Sequence, residues 1–406
     1  RREALAALLA DEANLDDTRN MLRLMIPTES AWSEWDVLRY MGEVASRYGW
    51  TDLAPSFVVS LARVRPQAPD RERPEYAALV DLVGEDGVPD LVFDVFAGLV
   101  EGTAMRERDR LDAWSLLNRL DPDGLRTGER LRALSLDRRD DPLLAALKRG
   151  ADELGVVAKT GEELAWLERL DTPDNASFWA TSSGAVRVLN ERQRRGLALR
   201  HLPAIEWSSR HAPDWLGSTR EALLGHIERR LDGRVTYIRG GTGSSGQREL
   251  FRRTREGLNW GDALTVCVAL EALDDSGLAS ELFRQADIDH NDRTTEHGGV
   301  VTTDPSTALF FATHYPPRPS QRFGDNRFVA SPEMIEQSST ALVHYHFHAS
   351  ELRHAQYAGP SASDLDYSAH YGRSALVFTF VDGDTLAVDY YQPDRVVVDL
   401  GVVERP

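Results

Sequence analysis

The residues best equipped for chemistry lie in Leu342-Val343-His344-Tyr345-His346-Phe347-His348 and, after a polar loop, in Gly359-Pro360-Ser361-Ala362-Ser363-Asp364-Leu365. Val343, Tyr345 and Phe347 alternate with His344, His346 and His348, the period of two of a pleated strand with one buried face. The three imidazoles then share the other face, roughly 6–7 Å between successive side chains. Protonated rings would repel each other there, whereas a divalent cation shared by two neutral rings stabilises the arrangement. Ser361 and Asp364 stand three residues apart, so on the first turn of a helix they converge on one point. Two histidines and one carboxylate with an open fourth position form a catalytic rather than a structural zinc set. A closed structural site would usually need thiolates, and the chain has a single cysteine.

About fifty residues upstream stands Thr295-Glu296-His297-Gly298-Gly299-Val300-Val301, a carboxylate on an entering strand followed by a glycine pair. Glu, then His-x-His, then Ser-x-x-Asp, in that order, resembles the JAMM (MPN+, JAB-type) zinc metallopeptidases, best known as isopeptidases that remove ubiquitin-like tags. Glu296 with Gly298-Gly299 is similar to that family's first signature, His346-Phe347-His348 to its histidine pair, and Pro360 to Leu365 to its bacterial Pro-Ser-x-x-Asp-Leu ending. The resemblance implies Zn²⁺ held by His346, His348 and Asp364, with a water whose pKa the metal lowers towards 7. It implies Glu296 as the general base that passes a proton to the leaving amine. It also implies Ser361 as a hydrogen-bond donor to the oxyanion. His344/His346 has the same spacing as His346/His348. The second pair is preferred because His348 ends the strand beside the loop carrying Ser361 and Asp364, which leaves His344 to support the site or face substrate. His297 and His354 are read as surface or supporting residues. The twelve residues between His348 and Ser361 exceed the family's usual spacing, and Ala349 stands where many members have proline. Both departures bear on specificity more than on chemistry.

A chain of 406 residues suggests two or three domains. Its 42% hydrophobic and 28% charged content is that of an ordinary globular protein. The 65 acidic against 47 basic residues give a net charge of −18, which argues against a general binder of nucleic acid or of anionic membranes. No apolar run approaches the roughly 18 residues of a spanning helix. Cys267 lies in the apolar run Ala263 to Leu273 and reads as a buried core thiol. The start at Arg1 reads as a processed or shortened terminus, so a soluble protein is expected with no compartment assigned.

From residue 1 to 232 the hydrophobic spacing is mostly helical, in short amphipathic pairs such as Trp35 to Tyr48 with Leu53 to Val64 and Pro74 to Val83 with Val88 to Val100. This all-α region weakly resembles HEAT-type repeats, whose concave face is a natural binding surface. Thr172 to Ser183 is expected as loop and Trp207 to Trp215 as a polar, aromatic connection. Residues 233–274 read as a connecting segment with a strand candidate at Val235 to Ile238. The Gly240 to Gly246 loop in that segment lacks the Gly-Lys-Ser/Thr ending of a phosphate-binding loop. Residues 275–406 read as the α/β domain that resembles JAMM/MPN: a helix over Gly277 to Ala286, a proline-led helix from Pro332, the histidine strand, a helix over Leu365 to Tyr371, and strands at Ala375 to Val381, Thr385 to Tyr391 and Arg395 to Val403. The tract Pro316 to Phe328 is a candidate lid. The function implied is hydrolysis of an amide or isopeptide bond in a protein substrate, a ubiquitin-like tag among the possibilities. The competing readings are an MPN-type scaffold without turnover and a metal-dependent hydrolase of a non-protein amide.

Overall fold

The computed structural model describes residues 1–28, 35–65, 68–100, 107–135, 141–235, 251–324, 327–349 and 358–406. The Gly240 to Gly246 loop, most of the strand candidate before it and His354 lie outside the described residues. The chain divides into two compact units, Arg1–Leu144 and Ala145–Pro406. The boundaries read from the sequence, at 232 and 274, both fall inside the second unit.

Every described regular element of the first unit is a helix. Trp35–Tyr48 packs chiefly on Pro74–Val83 rather than on its sequence neighbour. The closest approach is at Gly42, where an added Cβ would come within 2.7 Å of the Ala78 Cβ. Ala54–Ala62 packs on Pro74–Val83, on Gly87–Phe96 and on Glu107–Leu120. Buried beneath it, Arg73 donates to Leu61 O at 2.7 Å, Ser60 O at 2.8 Å and Glu75 Oε1 at 2.8 Å. This is the partner set a desolvated guanidinium needs.

In the second unit, helices α1 (Gly161–Leu170), α2 (Leu202–His211), α3 (Trp260–Leu273) and α4 (Ser276–Asn291) precede the sheet. The sheet and its helices follow as β1 (Gly298–Thr303), β2 (Phe310–His314), α5 (Pro332–Gln337), β3 (Val343–His348), α6 (Ala362–Tyr371), β4 (Ala375–Asp382), β5 (Thr385–Tyr391) and β6 (Val397–Glu404). The six strands form one mixed sheet in the order β2-β1-β3-β4-β5-β6, with β3 and β4 parallel and the other pairs antiparallel. α3 is apolar all round, and its Cys267 is fully buried, which pushes the thiol up to about 12. α1 is tied to the sheet half of the unit. Its Trp166 donates from Nε1 to Ser339 O at 2.8 Å, while the buried Arg373 guanidinium stacks 3.3 Å from the centre of the same indole.

Two segments expected without helix are helical. Ala176–Val188 covers most of the predicted loop, because Pro173 opens a turn that leads into the helix and Trp179, Ser182, Ser183 and Val186 form its buried stripe. α2 covers the start of the predicted aromatic connection, with Ile205, Glu206 and Trp207 inside. β2 was not singled out as a strand, its core signal being reduced to Phe310 as it runs along the sheet edge. β3 is covered on both faces, not one, since it is a central strand with helices packed over its histidine side.

Candidate metal centre

The topology brings the chemical residues to one end of the sheet. β3 runs to His348, and the crossover to parallel β4 starts α6 near that carboxyl end, where open α/β sheets commonly bind ligands. β1 is antiparallel to β3 with Gly298 opposite His346, so Glu296 arrives beside the same end. His346 Nε2 and His348 Nε2 face each other at 3.2 Å. Asp364 Oδ1 lies 3.4 Å from His346 Nε2, and Asp364 Oδ2 lies 3.7 Å from His348 Nε2. Glu296 Oε1 lies 3.8 Å from His348 Nε2, and ligand atoms of Glu296, His346 and His348 all stand within 4.8 Å of one another.

The donor set fits a small divalent cation. Ligand atoms bonded tetrahedrally at about 2.0–2.2 Å stand about 3.3–3.6 Å apart. The separations of 3.2, 3.4 and 3.7 Å among His346, His348 and Asp364 lie within about 0.1 Å of that range. The separations of His348 Nε2 from Glu296 and from Asp364 exceed hydrogen-bond length, while all four groups face one small volume. Burial by itself would push the Asp364 carboxyl up. The His346 imidazole beside it, helped by His348 and the Ser361 amide, instead holds it well below the usual carboxylate range. Burial would lower His346, but Asp364, Glu296 and Asp289 raise it above its ordinary value.

Ser361 is the N-cap of α6. Its amide donates to Asp364 Oδ2 at 2.6 Å, and its Oγ, 3.4 Å from the Asp364 amide, contacts Ser363 Oγ at 2.8 Å. The Ser-x-x-Asp spacing is therefore also a capping box, which locks the Asp364 carboxylate in orientation. The third histidine, His344, is fully buried. Its Nδ1 meets Tyr367 Oη at 2.8 Å, and no partner for its Nε2 lies among the described residues. Burial and the nearby Arg373 charge push its pKa well below the ordinary value, keeping the ring neutral. His297 points elsewhere, contacting His314 Nε2 at 2.9 Å through Nδ1 and Asp292 Oδ2 at 2.9 Å through Nε2.

Sequence reasoning missed the residues that hold this cluster. Asp289, buried in the last turn of α4, accepts from the His297 amide at 2.5 Å and from the Ala349 amide at 3.1 Å. Those two amides immediately follow Glu296 and His348, so one carboxylate sets the spacing between the two chain segments. His290 Nδ1 completes the clamp 2.9 Å from Ala349 O. The available signal was a charge on an apolar stripe: Leu278, Leu282, Gln285, Ala286 and Asp289 are all buried at helical spacing. Tyr391 Oη approaches His346 Nδ1 at 3.4 Å, the contact that selects a histidine tautomer. Phe328, from the candidate lid, stacks on His346 with ring centres 5.6 Å apart. Gly298 makes room for it, since an added Cβ would come within 2.7 Å of the Phe328 ring and 2.4 Å of Tyr345 O.

No family model, curated protein or solved structure matches this chain.

Proposed function

We propose that the Ala145–Pro406 unit is a zinc-dependent peptidase of the JAMM type, hydrolysing an amide or isopeptide bond in a protein substrate, with ubiquitin-like tags among the candidates. The observation that carries this reading is the convergence of His346, His348, Asp364 and Glu296, three chain segments apart, within 3.2–3.8 Å contacts. His346, His348 and Asp364 would hold the ion. When bound there, Zn²⁺ supplies a Lewis acid and makes water nucleophilic near neutral pH.

Glu296 takes the proton released on attack and returns it to the leaving amine, a task its place at the edge of the cluster suits. Ser361 donates to the oxygen that becomes negative, for which its hydroxyl turns from Ser363 towards the substrate. Tyr391 and the capping box keep His346 and Asp364 oriented, so little reorganisation is needed during reaction. The first unit is read as the part that selects the substrate protein. Packing between alternate helices there, Trp35–Tyr48 on Pro74–Val83 and Ala54–Ala62 on Gly87–Phe96, favours a HEAT-like stack.

Metal analysis of the purified chain is the direct test, with one equivalent of zinc expected per chain. Glu296→Gln should keep that equivalent and lose on the order of 10²–10⁴ in hydrolysis rate. Zinc-free protein, or unchanged cleavage by the Gln variant, would overturn the reading.

A further inference from the structure

A cavity of about 360 Å³ opens beside the cluster, with His346 and Asp364 in its lining. That volume lies in the roughly 300–1,000 Å³ range of sites that enclose small ligands. Phe328, Val329, Ala330, Tyr367, Tyr371 and Tyr391 make up its apolar lining, the larger part of its surface, and Arg327, Ser363, Asp366 and His370 add polar groups. The aromatic rings are braced in place. Phe328 meets Tyr367 edge to face at 6.2 Å, Tyr367 packs on Tyr371 at 4.7 Å, and Tyr391 stands edge-on to His346 at 6.2 Å. Two of the polar groups around it already have partners, Tyr367 Oη on His344 and the Asp366 carboxylate on Arg395.

We propose that this cavity is the specificity pocket of the site, and that it takes a large apolar side chain, leucine-like or aromatic, on the substrate residue next to the scissile amide. The proposal rests on the metal-site reading and adds the class of substrate residue. Because His346 and Asp364 belong to both cavity and cluster, a side chain seated in the pocket lies on the residue whose amide reaches the ion. Rigid aromatic walls reward a planar or branched apolar group at small entropic cost. Glycine beside the scissile bond would leave the pocket empty, so a tag ending in glycines is a poor match. Val329 and Tyr371 line the cavity without taking part in the cluster.

The test uses the zinc-loaded full chain and four probes, the N-acetyl hydroxamates of glycine, leucine, phenylalanine and aspartate, with affinities measured by calorimetry. The hydroxamate group binds the ion in every case, so differences among the four report the pocket. Phenylalanine and leucine are expected to bind at least tenfold tighter than glycine, and aspartate no tighter than glycine. Val329→Trp, which fills the pocket, should bring leucine and phenylalanine down to the glycine value and leave glycine within about twofold. Should that variant not fold, Tyr371→Ala, which removes one wall, is expected to cut the phenylalanine preference severalfold. Equal affinities for all four probes, or aspartate binding best, would overturn the pocket while leaving the metal site standing. Zinc lost on dialysis, with no probe bound, would overturn both.

Discussion

Two buried histidine–carboxylate clusters of the second unit differ in how their polar atoms are used. In the first, His201 Nε2 meets Asp262 Oδ1 at 2.7 Å, and the Arg200 guanidinium reaches the same oxygen at 3.0 Å. Asp262 Oδ2 accepts from the Asn259 amide at 3.0 Å and from Gln392 Nε2 at 3.3 Å, while His201 Nδ1 accepts from the Ala198 amide at 3.0 Å. Each ring nitrogen and carboxylate oxygen there has a short, directed partner. In the second, the facing nitrogens and oxygens of His346, His348, Asp364 and Glu296 stand 3.2–3.8 Å apart, although Asp364 Oδ2 also accepts from the Ser361 amide at 2.6 Å. Short, directed pairs hold the fold together in the first cluster, whereas the second is the one whose Glu296, His346 and His348 ligand atoms, all within 4.8 Å of one another, could hold a metal ion.

Substitutions should separate the two. His348→Ala is expected to weaken zinc binding on the order of 100-fold or more, while the metal-free protein melts within a few degrees of the parent. Asp262→Ala should do the reverse. It strands Arg200 and leaves His201 without its partner in the core, so denaturant unfolding should report a loss of about 3–5 kcal/mol. Zinc bound per folded molecule should not change. A metal-binding defect in Asp262→Ala at full stability would erase the distinction.

Asp289 sits between the two behaviours, being saturated by backbone amides yet placed to set the Glu296–His348 spacing. Asp289→Ala should cost stability and in addition weaken zinc binding about 10–100-fold in the fraction that stays folded, read by competition with a chelator. Stability loss with unchanged zinc affinity would reduce it to a purely structural residue.

The smallest effect is on pH dependence. Burial depresses His201 and His344, and burial beside His297 brings His314 down to about 4. In each case the unfolded chain binds a proton more readily than the folded one, so stability falls as pH drops below about 6.5. His346 is raised, so its contribution has the opposite sign: full below about 6.5 and lost as pH climbs through its folded value. Metal-free protein should therefore lose stability between pH 7 and 5 with a shallow slope. Zinc-loaded protein should lose it more steeply, because protons then compete with the ion for His346 and His348. Urea midpoints across that range, with and without zinc, measure both slopes.

Some of this was legible along the chain. The alternation of Val343, Tyr345 and Phe347 with three histidines marks a strand, Ser361 with Asp364 marks a helix start, and the apolar run around Cys267 marks a buried helix. The helical loop region and the edge strand β2 were not. Pro173 at the head of Thr172 to Ser183 and the polar residues among Trp207 to Trp215 mask the helical stripe that packing reveals, and β2 has one face and one edge open, which dilutes its pattern. The domain boundary was equally hidden, since nothing local to Trp166 says that its indole will meet Ser339 and Arg373.

By itself, the sequence determined which donors exist and in what order: a Glu before two glycines, a His-x-His strand, and a capped Asp, each encoded by local periodicity and spacing. The equal spacing of His344/His346 and His346/His348 left only position in the strand to prefer the second pair, and the tertiary structure sets that pair beside the carboxylates and His344 on Tyr367. Pairing β1 antiparallel and β4 parallel to β3 brings the three segments to one end of the sheet. Asp289, Tyr391 and Phe328 then hold that end through contacts between residues far apart in the chain, which no local pattern can carry.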